Sequence, residues 1–230
     1  MRVTVCVGGA ILAPDVPDTG CISEIAKALA KLKSARHEVL VVVGGGNPAR
    51  MYINAGRSLK LLSTRLDMLG IDITRVNARL LALALGDIAE QEPVKTVEEA
   101  IQVMLRNKIP VMGGTTPGQT TDAVAAMLAK ASASDILVFI SDVDGIYTAD
   151  PKTDPSAKKI ERMTTKELVV QFGWVKGEPG MKTPVDPIAA KIIERLKSRI
   201  VFIGRREITR LQEIIRGEPH SGTTVMPLDD

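Results

Sequence analysis

The feature that most constrains the fold is a series of short apolar segments rich in β-branched residues, separated by stretches with helical periodicity. The segments are almost entirely apolar rather than alternating, which is typical of strands buried on both faces of a sheet. The predicted strands are Val3–Val7, Val39–Val43, Ile109–Met112, Ile136–Ile140 and Ile200–Ile203.

The segments between these strands repeat apolar residues at the helical period. They predict helices over Ile22–Leu32, Ile71–Leu85, Val97–Leu105, Thr121–Lys130, Lys166–Phe172, Pro187–Leu196 and Ile208–Ile215. Alternation of strands and helices indicates βαβ units. We therefore expect an α/β fold with a mainly parallel central sheet and helices on both of its faces.

Length and charge narrow the classes of protein further. The chain has 230 residues, which fits a single domain spanning 1–230. Its 30 basic and 27 acidic side chains give a net charge of only +3. This balance, together with few aromatic side chains, argues against a nucleic acid or an anionic membrane as partner.

The remaining compositional signals are weak. Cys6 and Cys21 cannot build a disulfide framework, and His37 and His220 lack the spacing of a metal-ligand pair, so we expect no protein-held metal site. The N-terminal apolar segment has no signal-peptide cleavage pattern, and no run approaches the length of a membrane span. A cytoplasmic protein is the expectation.

Glycine-rich turns follow the first four predicted strands. They are Gly8-Gly9-Ala10, Gly44-Gly45-Gly46-Asn47, Gly113-Gly114-Thr115 and Ser141-Asp142-Val143-Asp144-Gly145. The carboxyl ends of parallel strands meet at one edge, where glycine lets main-chain N–H groups approach phosphate oxygens. Glycine also serves turn geometry alone, but four converging turns favour a polyphosphate ligand. The chain has neither a Walker loop nor a G-x-G-x-x-G dinucleotide fingerprint.

A hydroxyl-rich loop follows the third strand, at Thr115-Thr116-Pro117-Gly118-Gln119-Thr120-Thr121. Thr121 or Asp122 can cap the helix that follows. Capping needs one side chain, and four threonines exceed that need. The loop is therefore a candidate to hold a second phosphate or a ribose.

Several basic and acidic side chains are candidates for a role in phosphoryl transfer. Arg50 is one turn beyond the triple glycine, whereas Lys182 and Lys191 flank the Asp186-Pro187 helix start. The aspartates Asp142, Asp144 and Asp150 are explained by turns and caps, or alternatively by Mg²⁺ delivered with a nucleotide.

These residues together resemble the amino acid kinase family, most closely its archaeal uridylate (UMP) kinase type. The most specific part is Asp142-Val143-Asp144-Gly145-Ile146-Tyr147-Thr148-Ala149-Asp150-Pro151, and the resemblance extends to Gly222-Thr223-Thr224. It implies a three-layer αβα sandwich, a homohexamer, and transfer of the ATP γ-phosphate to UMP, giving UDP and ADP for pyrimidine nucleotide synthesis. Mg²⁺ would arrive with ATP.

The resemblance also assigns site residues. ATP would be bound by Gly9, Ala10, Gly46, Arg50, Ser141, Tyr147 and Asp150. UMP would be bound by Gly45, Asp67, Thr115, Thr116, Pro117, Gly118, Gln119, Thr120 and Thr121, with Asp67 on the ribose hydroxyls. Arg50 and one lysine, Lys191 or Lys182, would share the transition-state charge. The acceptor lobe would be mainly N-terminal and the ATP lobe mainly C-terminal.

Two rival activities share this fold. An isopentenyl phosphate kinase, by resemblance, would use a His near the acceptor phosphate. Here no His follows Gly44–Gly46. A molybdate storage protein would keep the fold without catalysis. It would be expected to carry His-rich or extra polar segments, which this chain lacks. A UMP kinase is therefore the prediction.

Overall fold

The computed structural model describes residues 1–173 and 185–227. The strands in the described part of the chain are β1 (Arg2–Val7), β2 (Glu38–Val43), β3 (Val111–Met112), β4 (Ile136–Ser141), β5 (Ile146–Tyr147), β6 (Lys159–Ile160), β7 (Arg162–Thr164), β8 (Arg199–Gly204) and β9 (Thr223–Met226). Seven of them form one sheet in the order β3-β2-β1-β4-β8-β9-β7, and β5 pairs with β6 separately.

The large sheet is mainly parallel, as predicted. The five strands from β3 to β8 run parallel to their neighbours, whereas β9 is antiparallel to β8 and parallel to β7. The predicted strand Ile109–Met112 is shorter than expected: Ile109 forms only an isolated bridge to Ala89, and the ladder begins at Val111.

The helices in the described residues match most of the predicted periods. They are α1 (Gly9–Leu12), α2 (Thr19–Ser34), α3 (Gly46–Ser58), α4 (Ser63–Leu85), α5 (Val97–Leu105), α6 (Thr121–Ala131), α7 (Thr165–Phe172), α8 (Pro187–Ile193) and α9 (Leu211–Ile215). The predicted helix over Ile208–Ile215 is only partly correct, because its first three residues belong to a 3₁₀ segment, Arg205–Arg210. Such tighter turns are common where an α-helix begins.

Two apolar cores sandwich the sheet and produce the three layers. Val5 of β1 packs into the core that contains α2 and α4, whereas its neighbour Cys6 packs into the core that contains α6 and α8. Successive side chains of a strand point to opposite faces, so a strand covered on both sides must be apolar throughout. The αβα sandwich is therefore confirmed.

The strand register brings the turns to one edge. Val7 pairs with Val43 on one side and with Ile140 on the other, so β1 and β2 end at the same level and β4 ends one residue later. Met112 at the end of β3 lies opposite Val42. The segments that follow these strands therefore begin side by side, as the sequence predicted.

Candidate functional site

The first two glycine turns are in direct backbone contact. A Cβ atom on Gly9 would overlap the backbone nitrogen of Gly46 and lie 2.7 Å from the carbonyl carbons of Gly44 and Gly45. Gly46 has a φ of +66°, a backbone conformation that residues with a side chain rarely adopt. Gly9, Gly45 and Gly46, which were predicted as nucleotide ligands, therefore form one continuous backbone surface.

Asn77 of α4 holds this backbone surface in place. Its buried side chain donates hydrogen bonds from Nδ2 to the carbonyl oxygens of Gly44 (2.9 Å) and Gly45 (3.2 Å). These bonds satisfy two loop carbonyls that the sheet does not pair. Sequence reasoning missed Asn77, although a polar residue on the apolar stripe of a helix was the available signal.

Thr74, one turn earlier in α4, holds the third turn in the same way. Its hydroxyl accepts a hydrogen bond from the backbone N–H of Gly114 (2.7 Å) and donates to the carbonyl oxygen of Ile71 (2.6 Å). A Cβ atom on Gly113 would overlap the Thr74 hydroxyl. Thr74 was also missed, and together with Asn77 it makes α4 the common support of two turns.

Asp67 reaches the hydroxyl-rich loop from the N-terminal part of α4. Its Oδ2 atom accepts a hydrogen bond from the backbone N–H of Gly118 (2.9 Å), which has a φ of +82°. The hydroxyl of Thr115 donates to Oε1 of Gln119 (3.2 Å). The structure thus brings Asp67 and the loop together.

Thr120 ends this loop and caps α6. Its Oγ1 accepts from the backbone N–H of Ala123 (3.1 Å), so the prediction of Thr121 or Asp122 as the cap was wrong. Thr120 has the extended backbone that a cap requires, whereas the helix already begins at Thr121. The Thr120 hydroxyl also donates to Oδ2 of Asp186, whose Oδ1 accepts from two backbone N–H groups at the start of α8.

Asp122, near the start of α6, contacts Cys6 of β1. The thiol of the buried Cys6 donates to Oδ1 of Asp122 at 3.6 Å. Burial raises the pKa of Asp122 to about 7, the negative charge of Asp186 acts in the same direction, and the bond from Cys6 opposes both. Burial likewise raises the pKa of the Cys6 thiol. Asp122 therefore changes charge near neutral pH, next to the hydroxyl-rich loop.

The segment after β4 carries the predicted adenine contacts. The Ser141 hydroxyl donates to the carbonyl oxygen of Val143 (2.8 Å), and Oδ1 of Asp150 accepts from the N–H of Lys152 (2.9 Å). Tyr147 lies in β5, and its hydroxyl donates to Oδ1 of Asp144 (2.7 Å). These three predicted residues therefore lie at the end of β4 and in the segment that follows it, and no hydrogen bond between their side chains is present in the described residues.

The three aspartates of this segment have partners of their own. Asp142 pairs with Lys152, Asp144 pairs with Lys159, and Asp150 stabilises its own turn. Within the described ranges, no group of three or more potential ligands is placed to hold a metal ion. The contacts therefore favour turns and ion pairs over a protein-held metal.

Two of the candidate cationic residues, Arg50 and Lys191, lie at the surface. Arg50 is exposed near the start of α3, shortly after the Gly46 backbone that contacts Gly9. Lys191 is exposed in the last turn of α8, the helix that Asp186 caps. Lys182 lies outside the described residues. Ala10 is half-buried in α1, next to Gly9.

Within the described part of the chain, the helices are too short or too polar to cross a membrane.

Comparison with known proteins gives concordant results. Uridylate kinases from Pyrococcus abyssi and Thermococcus sibiricus are 44% and 46% identical to the chain over 227 residues, which is 99% of this chain and 100% of each relative. The crystal structure of uridylate kinase from Archaeoglobus fulgidus superimposes with a TM-score of 0.85 at 37% identity, covering 98% of this chain and 100% of that one.

A more distant structure, the UMP kinase from Bacillus anthracis, has a TM-score of 0.79 at 22% identity and shows the shared fold alone. The model of the amino acid kinase family matches residues 1–204, which includes every turn described above. The chain belongs to the amino acid kinase family.

Proposed function

We propose that the protein is a UMP kinase, an ATP-dependent nucleoside monophosphate kinase that transfers the γ-phosphate of ATP to UMP and releases UDP and ADP. The observation that carries the proposal is the identity of 43–46% to uridylate kinases along nearly the whole chain. UDP is a precursor of UTP and CTP, so the reaction belongs to pyrimidine nucleotide synthesis, and we expect it to occur in the cytoplasm.

The site geometry supports distinct positions for the two nucleotides. We assign the UMP phosphate and ribose to Gly45, Asp67 and the loop from Thr115 to Thr121, because α4 holds these parts together through Thr74 and Asp67. A carboxylate accepts hydrogen bonds from hydroxyl groups, which suits Asp67 to a ribose. The N-terminal half would thus form most of the acceptor lobe of a single domain.

ATP is assigned to the other side of the same edge. Its phosphates would lie over the backbone of Gly9, Ala10 and Gly46, where the first two turns are in contact, and Arg50 would bind them. Its adenosine would lie against the segment that carries Ser141, Tyr147 and Asp150. This segment belongs to the mainly C-terminal ATP lobe.

Positioning and charge neutralisation account for most of phosphoryl-transfer catalysis. The N–H groups of the turns and the cations of Arg50 and Lys191 or Lys182 would bind the negative charge that builds on the transferring group. Mg²⁺ bound to the ATP phosphates would neutralise further charge. Because the nearby aspartates pair with lysines, the phosphates rather than a protein cage would supply most of its ligands.

We also propose that the chain acts as a homo-oligomer, a hexamer by resemblance to its family. The α4 helix exposes Val76, Leu80 and Leu83 at helical spacing, with 63%, 37% and 56% of each residue accessible. Such a stripe on one helix face is typical of a surface that another subunit covers. Light scattering coupled to size-exclusion chromatography tests this, and a monomer at micromolar concentration would contradict it.

A coupled assay of ADP release tests the reaction. Protein, ATP and Mg²⁺ are combined in turn with UMP, CMP, dUMP and isopentenyl phosphate. Turnover that depends on UMP is the expected result. Turnover with isopentenyl phosphate alone would identify a different kinase, and ATP binding without turnover on any acceptor would favour a storage or sensing role.

A further inference from the structure

The short hairpin formed by β5 and β6 is fastened to the C-terminal segment at two points. The first is Thr223, which is fully buried at the start of β9. Its hydroxyl accepts from the N–H of Ile146 in β5 (2.8 Å) and donates to the carbonyl oxygen of Ile160 in β6 (2.6 Å). One side chain therefore holds both strands of the hairpin.

The second point is the ammonium group of Lys159. It donates to Oδ2 of Asp144 (2.5 Å) and to the carbonyl oxygen of Ser221 (2.9 Å), and it lies 5.7 Å from the centre of the Tyr147 ring. These contacts come from the turn before β5, from β5 itself and from the turn before β9. Only 25% of the Lys159 side chain is accessible, so the ammonium is held rather than freely solvated.

Asp144 connects Lys159 to Tyr147 through hydrogen bonds to both residues. One carboxylate oxygen accepts from Lys159, and the other accepts from the Tyr147 hydroxyl at 2.7 Å. Burial acts to raise the pKa of Asp144, but the bonds from Lys159 and Tyr147 outweigh it and lower the pKa. Burial acts to lower the pKa of Lys159, and the bond to Asp144 reverses this. Both partners are therefore charged at neutral pH, and the Tyr147 ring is fixed at its hydroxyl and its face.

We propose that Lys159 is a positioning residue for the adenine nucleotide: through Asp144 it holds the Tyr147 ring in the orientation that ATP meets. This inference rests on the proposed function, in which Tyr147 contacts the nucleotide. A tyrosine held in one rotamer loses less conformational freedom when a ligand packs against it, so the restraint lowers the cost of binding ATP. The restraint on Tyr147 should not affect the binding of UMP, because UMP is assigned to the other half of the sheet edge.

The experiment compares steady-state kinetics of Lys159→Met with those of Lys159→Arg and Lys158→Met. Lys159→Met keeps an unbranched side chain but removes the charge. Lys158 is the neighbouring exposed lysine and serves as the matched control. We expect Lys159→Met to raise the KM for ATP about tenfold, with kcat within about threefold and the KM for UMP unchanged. Lys159→Arg should recover most of the ATP affinity, and Lys158→Met should behave as wild type.

A double-mutant cycle separates action through Tyr147 from direct contact with ATP. In a Tyr147→Ala background, Lys159→Met should raise the KM for ATP by less than twofold. A tenfold rise in both backgrounds would overturn the proposal, and so would an unchanged KM in the single variant. If Lys159→Met does not fold, Asp144→Ala replaces it in the same cycle. A wild-type protein without UMP-dependent ADP release would instead refute the proposed function.

Discussion

Replacing Asp122 by Asn should stabilise the protein at alkaline pH. Burial and the charge of Asp186 raise the pKa of Asp122 from 3.8 to about 7. Between these two pH values the folded state keeps a proton that the unfolded state has lost, so the stability falls as the pH rises through this window. Above pH 7 the folded protein must hold the charged carboxylate, and the cost is then constant.

The size of the effect follows from the shift. A difference of three pKa units corresponds to about 4 kcal/mol. Asp122 as a residue is only partly buried, so we expect about half of this, ~2 kcal/mol, above pH 7. An amide has the shape of the protonated acid and carries no charge. Asp122→Asn should therefore be more stable than wild type by ~2 kcal/mol at pH 8, with a difference that shrinks towards pH 4.

Urea unfolding between pH 4 and pH 8.5 measures this difference. Wild type, Asp122→Asn and a control, Asp87→Asn, are compared at one protein concentration, because subunit association also contributes to stability. Asp87 is exposed, and its variant should follow the wild-type curve at every pH. If the curves of wild type and Asp122→Asn stay parallel across the range, the carboxylate is not protonated in the folded protein and the reasoning fails.

Three further substitutions test the site. Arg50→Ala should lower kcat by 10²–10³-fold, about 3–4 kcal/mol of barrier, and unchanged turnover would remove Arg50 from the mechanism. Asp67→Asn keeps an acceptor for the Gly118 N–H but loses the charge, so the KM for UMP should rise about tenfold while the KM for ATP stays constant; equal changes in both would argue against a ribose contact. Asn77→Leu leaves the buried carbonyl of Gly44 and the partly buried carbonyl of Gly45 without the amide. It should lower the free energy of unfolding by about 2 kcal/mol in urea titrations; wild-type stability would show that water replaces the amide.

Much of the sheet could be predicted because its central strands are buried on both faces. A strand such as β2, Glu38–Val43, has to be apolar at nearly every position, and few structures besides a buried strand produce so short a run of this kind. The edge strand β7 and its neighbour β9 were missed because each is short and contains polar residues. They are strands only because they pair with each other and, through β9, with β8.

The helix α3 was missed because most of its residues are not buried. Only Ala49 and Gly56 are buried among its 13 residues, so it has no apolar stripe to detect. It also begins with Gly46-Asn47-Pro48, which taken alone suggests a turn. A proline in the first turn of a helix loses no hydrogen bond, and the same residues therefore permit a helix start.

The supporting residues of the site show where sequence reasoning stops. Lys159 is the second of two consecutive lysines before Ile160, and nothing in that pattern marks it as the partner of Asp144, 15 residues earlier. The pairing exists because β5 and β6 form a hairpin and β9 brings the Ser221 carbonyl to the same place. Thr74 and Asn77 were more accessible to prediction, since a polar residue on a buried helix face must find a partner.

The glycines themselves carry less information about the ligand than their number suggests. Gly9 and Gly46 are required by the contact between two turns, because a side chain on Gly9 would overlap the other backbone. A Cβ on Gly118 would meet nothing within 4 Å, and this glycine is required by its φ of +82°. Both requirements hold without a phosphate. The case for a nucleotide therefore depends on Asp67, on the threonine loop that it holds, and on the identity to uridylate kinases along the whole chain.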